Sequence, residues 1–462
     1  MNPIGPKLAH WAAQLHFDDL PAAVVDDCRY RLLDTLGVAL AAARLPIGVA
    51  VRKAGRTLGS GNEATALGEP GKTSAAIAAL VNGTLAHAMD FDDTHNESVM
   101  HPSAPTVAAA LAAAEAIGAG GRELIVGLAI GNELGCRLGL VAPGAFHGVG
   151  LHPTSVLGAP AATAAAGRLW RLTPVQIAAG FGISASQASG VLEAYADGTW
   201  SKTLHPGWAA HAAIVAARLA QAGFTGPATA FEGRYGLFRA FLPDGTTLDL
   251  DAAINGLGHH WTTLDTAYKL FACAHSIHAF VEGALALRKT HSLGSTRIKA
   301  VLLAVPEEFV GQIAEPRAAK LVPRTSTHAR ASLFYAVAAA LLDGALDAAH
   351  YEGSAFARAD ILDLATRIDY RAVPANGPIK FSGRVAIETF DGQRFEVFVE
   401  EADGTGTRKL TPARIEAKFR ATAGSVMPQV QVERLIADIG ALDKLDDLQT
   451  LSEALVLART GS

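Results

Sequence analysis

Alanine-rich apolar runs constrain the fold of this chain more than any other feature of its sequence. Residues 74–80 and 104–117 are two examples, and glycine-bearing loops separate them. Alanine loses little entropy in a helix, and only 6% of the residues are aromatic, so the core must consist of small side chains that approach closely. These features predict a mainly helical protein. Because 462 residues are too many for one hydrophobic core, they also predict two domains.

Helical signals cover the first part of the chain. Pro21 is followed by apolar residues at helical spacing, and Thr173-Pro174-Val175-Gln176 has the form of a capping box with proline in the first turn. We therefore predict a helical domain over residues 1–265.

Signals for β-strands begin near residue 266. Residues 297–305 are apolar and β-branched, which predicts a buried strand, and residues 384–400 alternate on both sides of Asp391-Gly392, which predicts a hairpin. Between them, a helix is predicted from about residue 328 to Asp343, stopped by Gly344.

The simplest architecture is a large all-helical domain that carries a smaller inserted α/β lid. We assign residues 1–265 to the helical domain, 266–404 to the lid, and 405–462 to a return to the helical domain. A cleft between two such domains is the expected ligand site.

Charge and cysteine content exclude several classes of function. The net charge is −5, so no cationic face for nucleic acid or an anionic membrane is expected. The three cysteines, Cys28, Cys136 and Cys273, form no metal-binding spacing, and reduced thiols fit the cytosol. No segment approaches the ~20 apolar residues of a membrane span, and no signal peptide is recognised, so a soluble, cytoplasmic protein is expected.

An acidic segment is the first candidate for chemistry. Asp90, Asp92 and Asp93 would repel one another unless they cap a helix or pair with cations. If the preceding helix continues, Asp90 and Thr94 share a face. A helix end that runs into a solvated loop explains the segment equally well. A metal site on Asp92, Asp93 and His95 has no second cluster of suitable spacing to support it.

Three further segments combine histidine or lysine with a domain boundary or a helix start. Residues 144–155 are glycine-rich and contain His147 and His152, and residues 201–208 contain Lys202 before a helix predicted over 209–221. Residues 268–278 contain Lys269, and a helix there would place His275 and His278 one turn apart on one face, with Lys269 a turn before them. Surface turns and solvated lysines are the alternative interpretation. No intact phosphate-loop, dinucleotide or G-x-S-x-G motif is present.

Together these segments resemble the MmgE/PrpD family, which includes 2-methylcitrate dehydratase and cis-aconitate decarboxylase. The resemblance rests on NGTLAHAMDFDDTH (82–95), HPSAPTV (101–107), LHPTSVLG (151–158), SKTLHPGWAAHA (201–212) and YKLFACAHSIH (268–278). A helix over residues 331–344 matches as well, so the resemblance spans nearly the whole chain.

The resemblance implies a helical domain with an α/β lid, a homodimer, and activity without a metal or organic cofactor. It also implies which residues act. The catalytic positions fall on Asp90, His101, His152, Lys202 and Lys269, and the substrate-binding positions fall on Thr94, His275 and Tyr335.

The expected activity is that of a lyase acting on a small polycarboxylic acid. Dehydration of a 2-methylcitrate-like hydroxy acid is our main prediction because it is the commonest assignment in the family; it needs a base, an acid, and cations beside the carboxylates. The alternatives are decarboxylation of cis-aconitate and epimerisation of an iminodisuccinate-like imino-dicarboxylate. A non-enzymatic scaffold is disfavoured because all catalytic-type positions are retained.

Overall fold

The computed structural model describes residues 3–374 and 381–457, and this part of the chain is mainly helical. The first 13 helices are α1 (Ile4–Gln14), α2 (Ala22–Ala42), α3 (Pro46–Leu58), α4 (Ala75–His87), α5 (Ser103–Glu115), α6 (Gly121–Leu140), α7 (Ala145–Gly148), α8 (Pro153–Val156), α9 (Gly158–Leu169), α10 (Pro174–Ala185), α11 (Ala194–Asp197), α12 (Ser201–Gln221) and α13 (Leu237–Phe241).

Nine more helices follow in the second half of the described chain. They are α14 (His278–Thr290), α15 (Glu307–Ile313), α16 (Arg317–Leu321), α17 (Ser326–Arg330), α18 (Leu333–Asp343), α19 (Ala359–Ala365), α20 (Pro412–Ala423), α21 (Gln429–Gly440) and α22 (Gln449–Ala454). The strands are β1 (Ala64–Thr65), β2 (Lys72–Thr73), β3 (Thr94–His95), β4 (Thr266–Ala267), β5 (Ile298–Pro306), β6 (Ile368–Val373), β7 (Gly383–Thr389) and β8 (Arg394–Val399).

Small side chains let the helices at the centre of the helical part pack closely. Helices α4, α5, α6, α9 and α12 contact one another there. At Gly83 of α4, an added Cβ would lie 2.8 Å from the Cα of Gly207 on α12, which is too close for any larger residue without a shift. The small side chains therefore allow the backbones of these helices to approach one another closely.

The described strands form two two-stranded sheets, β1-β2 and β3-β4, and one four-stranded sheet in the order β6-β5-β7-β8. Strands β5 and β6 are parallel, and the pairs β5/β7 and β7/β8 are antiparallel. The predicted strand and hairpin are confirmed, with Gly392 in the left-handed conformation of the turn. Helix α14 packs on β7 and β8. Near the C-terminus, α20 packs on α2, while the domain boundaries at 265 and 404 stay a prediction.

Two helix predictions need correction. The helix expected from about residue 328 is interrupted, because Ser332 leaves helical geometry and its side chain caps α18 by accepting from Tyr335 N; the stop at Gly344 is confirmed. The helix expected from residue 209 already starts at Ser201 and contains Pro206 in its second turn. Pro206 cannot donate to the carbonyl of Lys202 four residues before it, yet the helix continues through this position.

No single helix among the described residues is both long enough and apolar enough to span a membrane. Helices α2 and α3, separated by a 91° bend, reach the length and apolar composition of a membrane span only when they are taken together.

Candidate active site

A cavity of about 710 Å³ lies where the helical part meets residues of the α/β part. Its walls include Asp90, Thr94, His101 and Lys202 from the helical part and His275 from the other side. Five of the eight residues predicted for the site therefore line one cavity.

The chain turns sharply to bring Asp90 to this wall. Helix α4, capped at its start by the Ser74 hydroxyl, ends at His87, and Asp90 adopts a left-handed backbone conformation with φ 49°. Thr94 then lies in β3, which pairs with β4 just before Lys269. Helix α4 therefore does not continue to Thr94, so Asp90 and Thr94 do not share a helical face. The short strand pair β3/β4 positions Thr94 instead.

Two lysines bind the carboxylate of Asp90. Lys202 Nζ lies 3.2 Å from Oδ2, and Lys269 Nζ donates to Oδ1 and, at 3.1 Å, to the backbone carbonyl of Asp90. Burial alone would raise the pKa of Asp90, but the lysines hold it well below its usual value. Burial opposes the charge of Lys202, yet Asp90 raises its pKa to about 12. Asp90 and Lys202 are therefore both charged, and Lys269 forms a second ion pair with the same carboxylate. One carboxylate and two ammonium groups carry one net positive charge.

The other two acids of the segment are buried, so the solvated-loop alternative is wrong. Asp92 accepts from His87 Nδ1 at 2.9 Å, and Asp93 accepts from the Ser103 hydroxyl at 2.5 Å and from Arg31 at 3.3 Å. Burial raises the pKa of both aspartates. Each carboxylate has its own partner, which offsets the repulsion within the segment.

A group of imidazoles lies beside the lysine pair. His101 Nδ1 donates to the carbonyl of Asp93 at 2.6 Å, so Nε2 is the free ring nitrogen of this cavity residue. His152 is fully buried, does not itself belong to the cavity wall, and lies 5.7 Å from His101 between ring centroids. Its Nδ1 is 3.1 Å from Nδ1 of His205. Burial lowers the pKa of His101 and His152 well below the usual value, so both are neutral without a ligand.

His275 faces the cavity from the opposite side. Its ring stacks on His278 at 4.7 Å and packs against Phe381 at 5.0 Å, and neither ring nitrogen has a hydrogen-bond partner among the described residues. Burial lowers its pKa well below the usual value. The two histidines are adjacent as expected, but Lys269 precedes them in a non-helical segment.

Lys269 and Tyr335 are both absent from the cavity wall formed by the described residues, but their positions differ. Lys269 is fully buried directly behind Asp90. The Tyr335 hydroxyl instead donates to the carbonyl of His350 at 2.5 Å. The structure thus brings seven of the eight predicted residues together at or beside the cavity and places Tyr335 outside this group, buried in the core.

His87 belongs to the network, and the sequence interpretation missed it. Its Nε2 is 2.9 Å from Lys202 Nζ, and its ring lies 4.8 Å from that of His101. A signal existed, because His87 is part of the NGTLAHAMDFDDTH motif, three residues before Asp90.

Some of these groups could approach a metal ion. Nitrogen atoms of His87, His101 and His152 lie within 4.8 Å of one another, as do ligand atoms of His87, Asp90 and Asp92. Both ring nitrogens of His87 are already bonded to Asp92 and Lys202, so we assign both sets to the hydrogen-bonded network. The trio of Asp92, Asp93 and His95 considered from the sequence forms no such group among the described residues.

Two domains of one known protein family match most of the chain. Residues 6–248 match the MmgE/PrpD N-terminal domain, and residues 271–443 match the MmgE/PrpD C-terminal domain. The chain belongs to the MmgE/PrpD family. The family prediction made from the motifs is thereby confirmed.

Relatives of known name are similar to this MmgE/PrpD protein over nearly its full length. A cis-aconitate decarboxylase of Aspergillus terreus is 28% identical, with 97% of this chain and 95% of the relative covered. The cis-aconitate decarboxylase of Homo sapiens is 27% identical, with 94% and 90% covered, and that of Mus musculus is 26% identical, with 96% and 91% covered.

Proposed function

We propose that this protein is a carboxy-lyase that decarboxylates cis-aconitate or a closely related unsaturated tricarboxylate. The near-full-length similarity to proteins named cis-aconitate decarboxylase carries the choice of reaction. It favours the decarboxylation alternative over dehydration, the main prediction from the sequence. Homodimer formation and a cytoplasmic location stay predictions.

The chemistry of this decarboxylation sets clear demands on a site. The bond between the methylene carbon of cis-aconitate and its carboxylate breaks, and CO₂ leaves. The electron pair spreads over the allylic system toward a neighbouring carboxylate, and one proton then adds to carbon. The reaction consumes one proton per CO₂ released, so the site needs fixed positive charge and a proton donor.

Each demand has a candidate group at the cavity. Lys202 lines the cavity and carries a positive charge that can stabilise the developing anion. Lys269 stabilises the carboxylate of Asp90 from behind, which keeps one net positive charge in the group. His101, with Nε2 free, is our candidate for the proton donor once it is protonated.

Further groups would bind the substrate and support this donor. His275 has two unpartnered ring nitrogens and, with Thr94, can hold a substrate carboxylate. His152 lies behind His101 and could relay a proton to it, because its buried Nε2 has no partner among the described residues.

Binding of the substrate is expected to charge the imidazoles. The Asp90–lysine group supplies only one net positive charge, whereas the substrate carries three negative charges at neutral pH. Burial and nearby cations keep His101 neutral in the free enzyme, and a bound trianion opposes that effect. The substrate would therefore create its own proton donor on arrival.

The test is an incubation of the enzyme with a panel of acids in deuterated water, read by NMR. The proposal predicts that cis-aconitate gives CO₂ and a methylene dicarboxylate that carries one deuterium. Alkene formation from 2-methylcitrate, with cis-aconitate unchanged, would contradict it and restore dehydration. Simple α-deuteration of an imino-dicarboxylate, again with cis-aconitate unchanged, would instead indicate epimerisation.

A further inference from the structure

His87 is the buried titratable group in direct contact with Lys202 that the proposed mechanism leaves unused. It is the last residue of α4 and is fully buried. Its Nε2 lies 2.9 Å from Lys202 Nζ, and its Nδ1 lies 2.9 Å from both carboxylate oxygens of Asp92. The imidazole therefore bridges a lysine and a carboxylate.

Only one protonation state of His87 satisfies both partners. A carboxylate can only accept, and an ammonium group can only donate. Nδ1–H must therefore donate to Asp92, which leaves the lone pair of Nε2 to accept from Lys202. A doubly protonated ring would set an N–H against the N–H groups of the ammonium. Burial and Lys202 lower the pKa of His87 well below its usual value, in agreement with a neutral ring.

This arrangement limits where the ammonium of Lys202 can point. One of its three N–H groups donates to His87 and one to Asp90 Oδ2 at 3.2 Å. The tetrahedral geometry of the ammonium then fixes the direction of the third, and Lys202 lines the cavity. With Asp90 as its only partner, the flexible lysine side chain could adopt several orientations.

We propose that His87, held by Asp92, is a positioning residue that orients Lys202 and directs its third N–H into the cavity. The inference rests on the proposed function of the same site. A purely structural link between α4 and α12 is the competing explanation. The chain offers a matched comparison, because His211 of α12 bonds to the carbonyl of Ala76 near the other end of α4 at 3.0 Å.

Substitutions can separate positioning from helix linkage. His87→Ala should lower kcat by about 10- to 100-fold, the usual effect of removing a group that orients a functional one. His87→Gln should recover most of that loss, since its amide oxygen can accept from Lys202. His211→Gln should keep the wild-type kcat. Wild-type turnover in His87→Ala, or equal losses in all three variants, would overturn the proposal.

A second readout needs no substrate and so separates this proposal from the proposed reaction. Protein labelled with ¹⁵N in histidine rings gives distinct shifts for protonated and unprotonated nitrogens, and the His87 signals are those absent from His87→Gln. We expect the Nδ1–H tautomer at pH 7, and a neutral ring still at pH 5. An Nε2–H tautomer or a charged ring would overturn the positioning role, even if cis-aconitate is decarboxylated. If cis-aconitate is not a substrate, this readout still tests whether His87 accepts from Lys202, which the positioning role requires.

Discussion

Removal of Lys269 tests the electrostatics of the site in one step. Lys269 is fully buried and pairs with Asp90, and Lys202 is the second cation at that carboxylate. Loss of one partner from a buried ion pair costs about 3–5 kcal/mol, because a charge is left buried without compensation. Since Asp90 keeps Lys202, we expect Lys269→Met to lower the free energy of unfolding by the smaller value, about 3 kcal/mol.

The same substitution should also weaken the binding of polycarboxylates. The group of Asp90, Lys202 and Lys269 changes from one net positive charge to none. A substrate carboxylate on the cavity side of Asp90 would lie about 6 Å from the position of the lost ammonium group. The attraction between these two charges is about 3 kcal/mol at an effective dielectric constant of about 20. That corresponds to an affinity loss of roughly 100-fold.

Urea unfolding and calorimetric titration with cis-aconitate measure the two effects of Lys269→Met separately. Lys299 pairs with Glu388 on the exposed face of the sheet, so Lys299→Met is a matched control that should change stability by about 1 kcal/mol or less. The double variant Asp90→Asn/Lys269→Met regains one net positive charge and should recover affinity. Unchanged stability and affinity in Lys269→Met would show that Lys269 does not neutralise Asp90 as proposed.

Three more predictions follow from burial and close packing. The pKa of buried His95 is lowered to about 4 and that of His205 to about 3, so the unfolded chain binds more protons between those values and about 6.5. Each such histidine should therefore make stability rise with pH over that window, by up to about 1.4 kcal/mol per pH unit, whereas the raised pKa of buried Asp92 and Asp93 acts in the opposite direction. Urea midpoints from pH 4.5 to 7 for the wild type and His95→Gln isolate the histidine contribution, and equal pH slopes in the two proteins would contradict a neutral His95. Binding of cis-aconitate near pH 7.5 should take up protons, seen as a dependence of the calorimetric enthalpy on the ionisation enthalpy of the buffer; equal enthalpies in all buffers would refute ligand-induced protonation. Gly83→Ala should cost about 1–3 kcal/mol against Gly207, whereas Gly71→Ala, whose added Cβ meets nothing within 4 Å, should cost less in the same unfolding assay.

Local signals predicted the elements whose causes are local. The capping box of Thr173 and Gln176 is present in both directions, and the hairpin turns at Gly392, since a cap or a turn depends on a few neighbouring residues. The mainly helical fold could be predicted from the alanine content for the same reason. These features need no knowledge of distant parts of the chain.

Features that depend on long-range contacts were missed or misplaced. Burial of Asp92 depends on a histidine at the end of α4, and the pairing of Lys269 with Asp90 spans 179 residues. No spacing rule reveals such contacts, so only the family resemblance grouped the lysines. Tyr335 shows the converse: its substrate-binding role stays a prediction, while its hydroxyl is bonded to the carbonyl of His350.

The proposed reaction depends on Lys202, which lies beside Asp90 and Lys269 and is proposed to support loss of CO₂ from an unsaturated tricarboxylate. The most direct measurement uses cis-aconitate labelled with ¹³C in the carboxylate on its methylene carbon, with labelled CO₂ followed for the wild type and for Lys202→Met. We expect steady release of labelled CO₂ by the wild type and a rate at least about 100-fold lower for the folded variant. No labelled CO₂ from the wild type, or an equal rate from Lys202→Met, would contradict it.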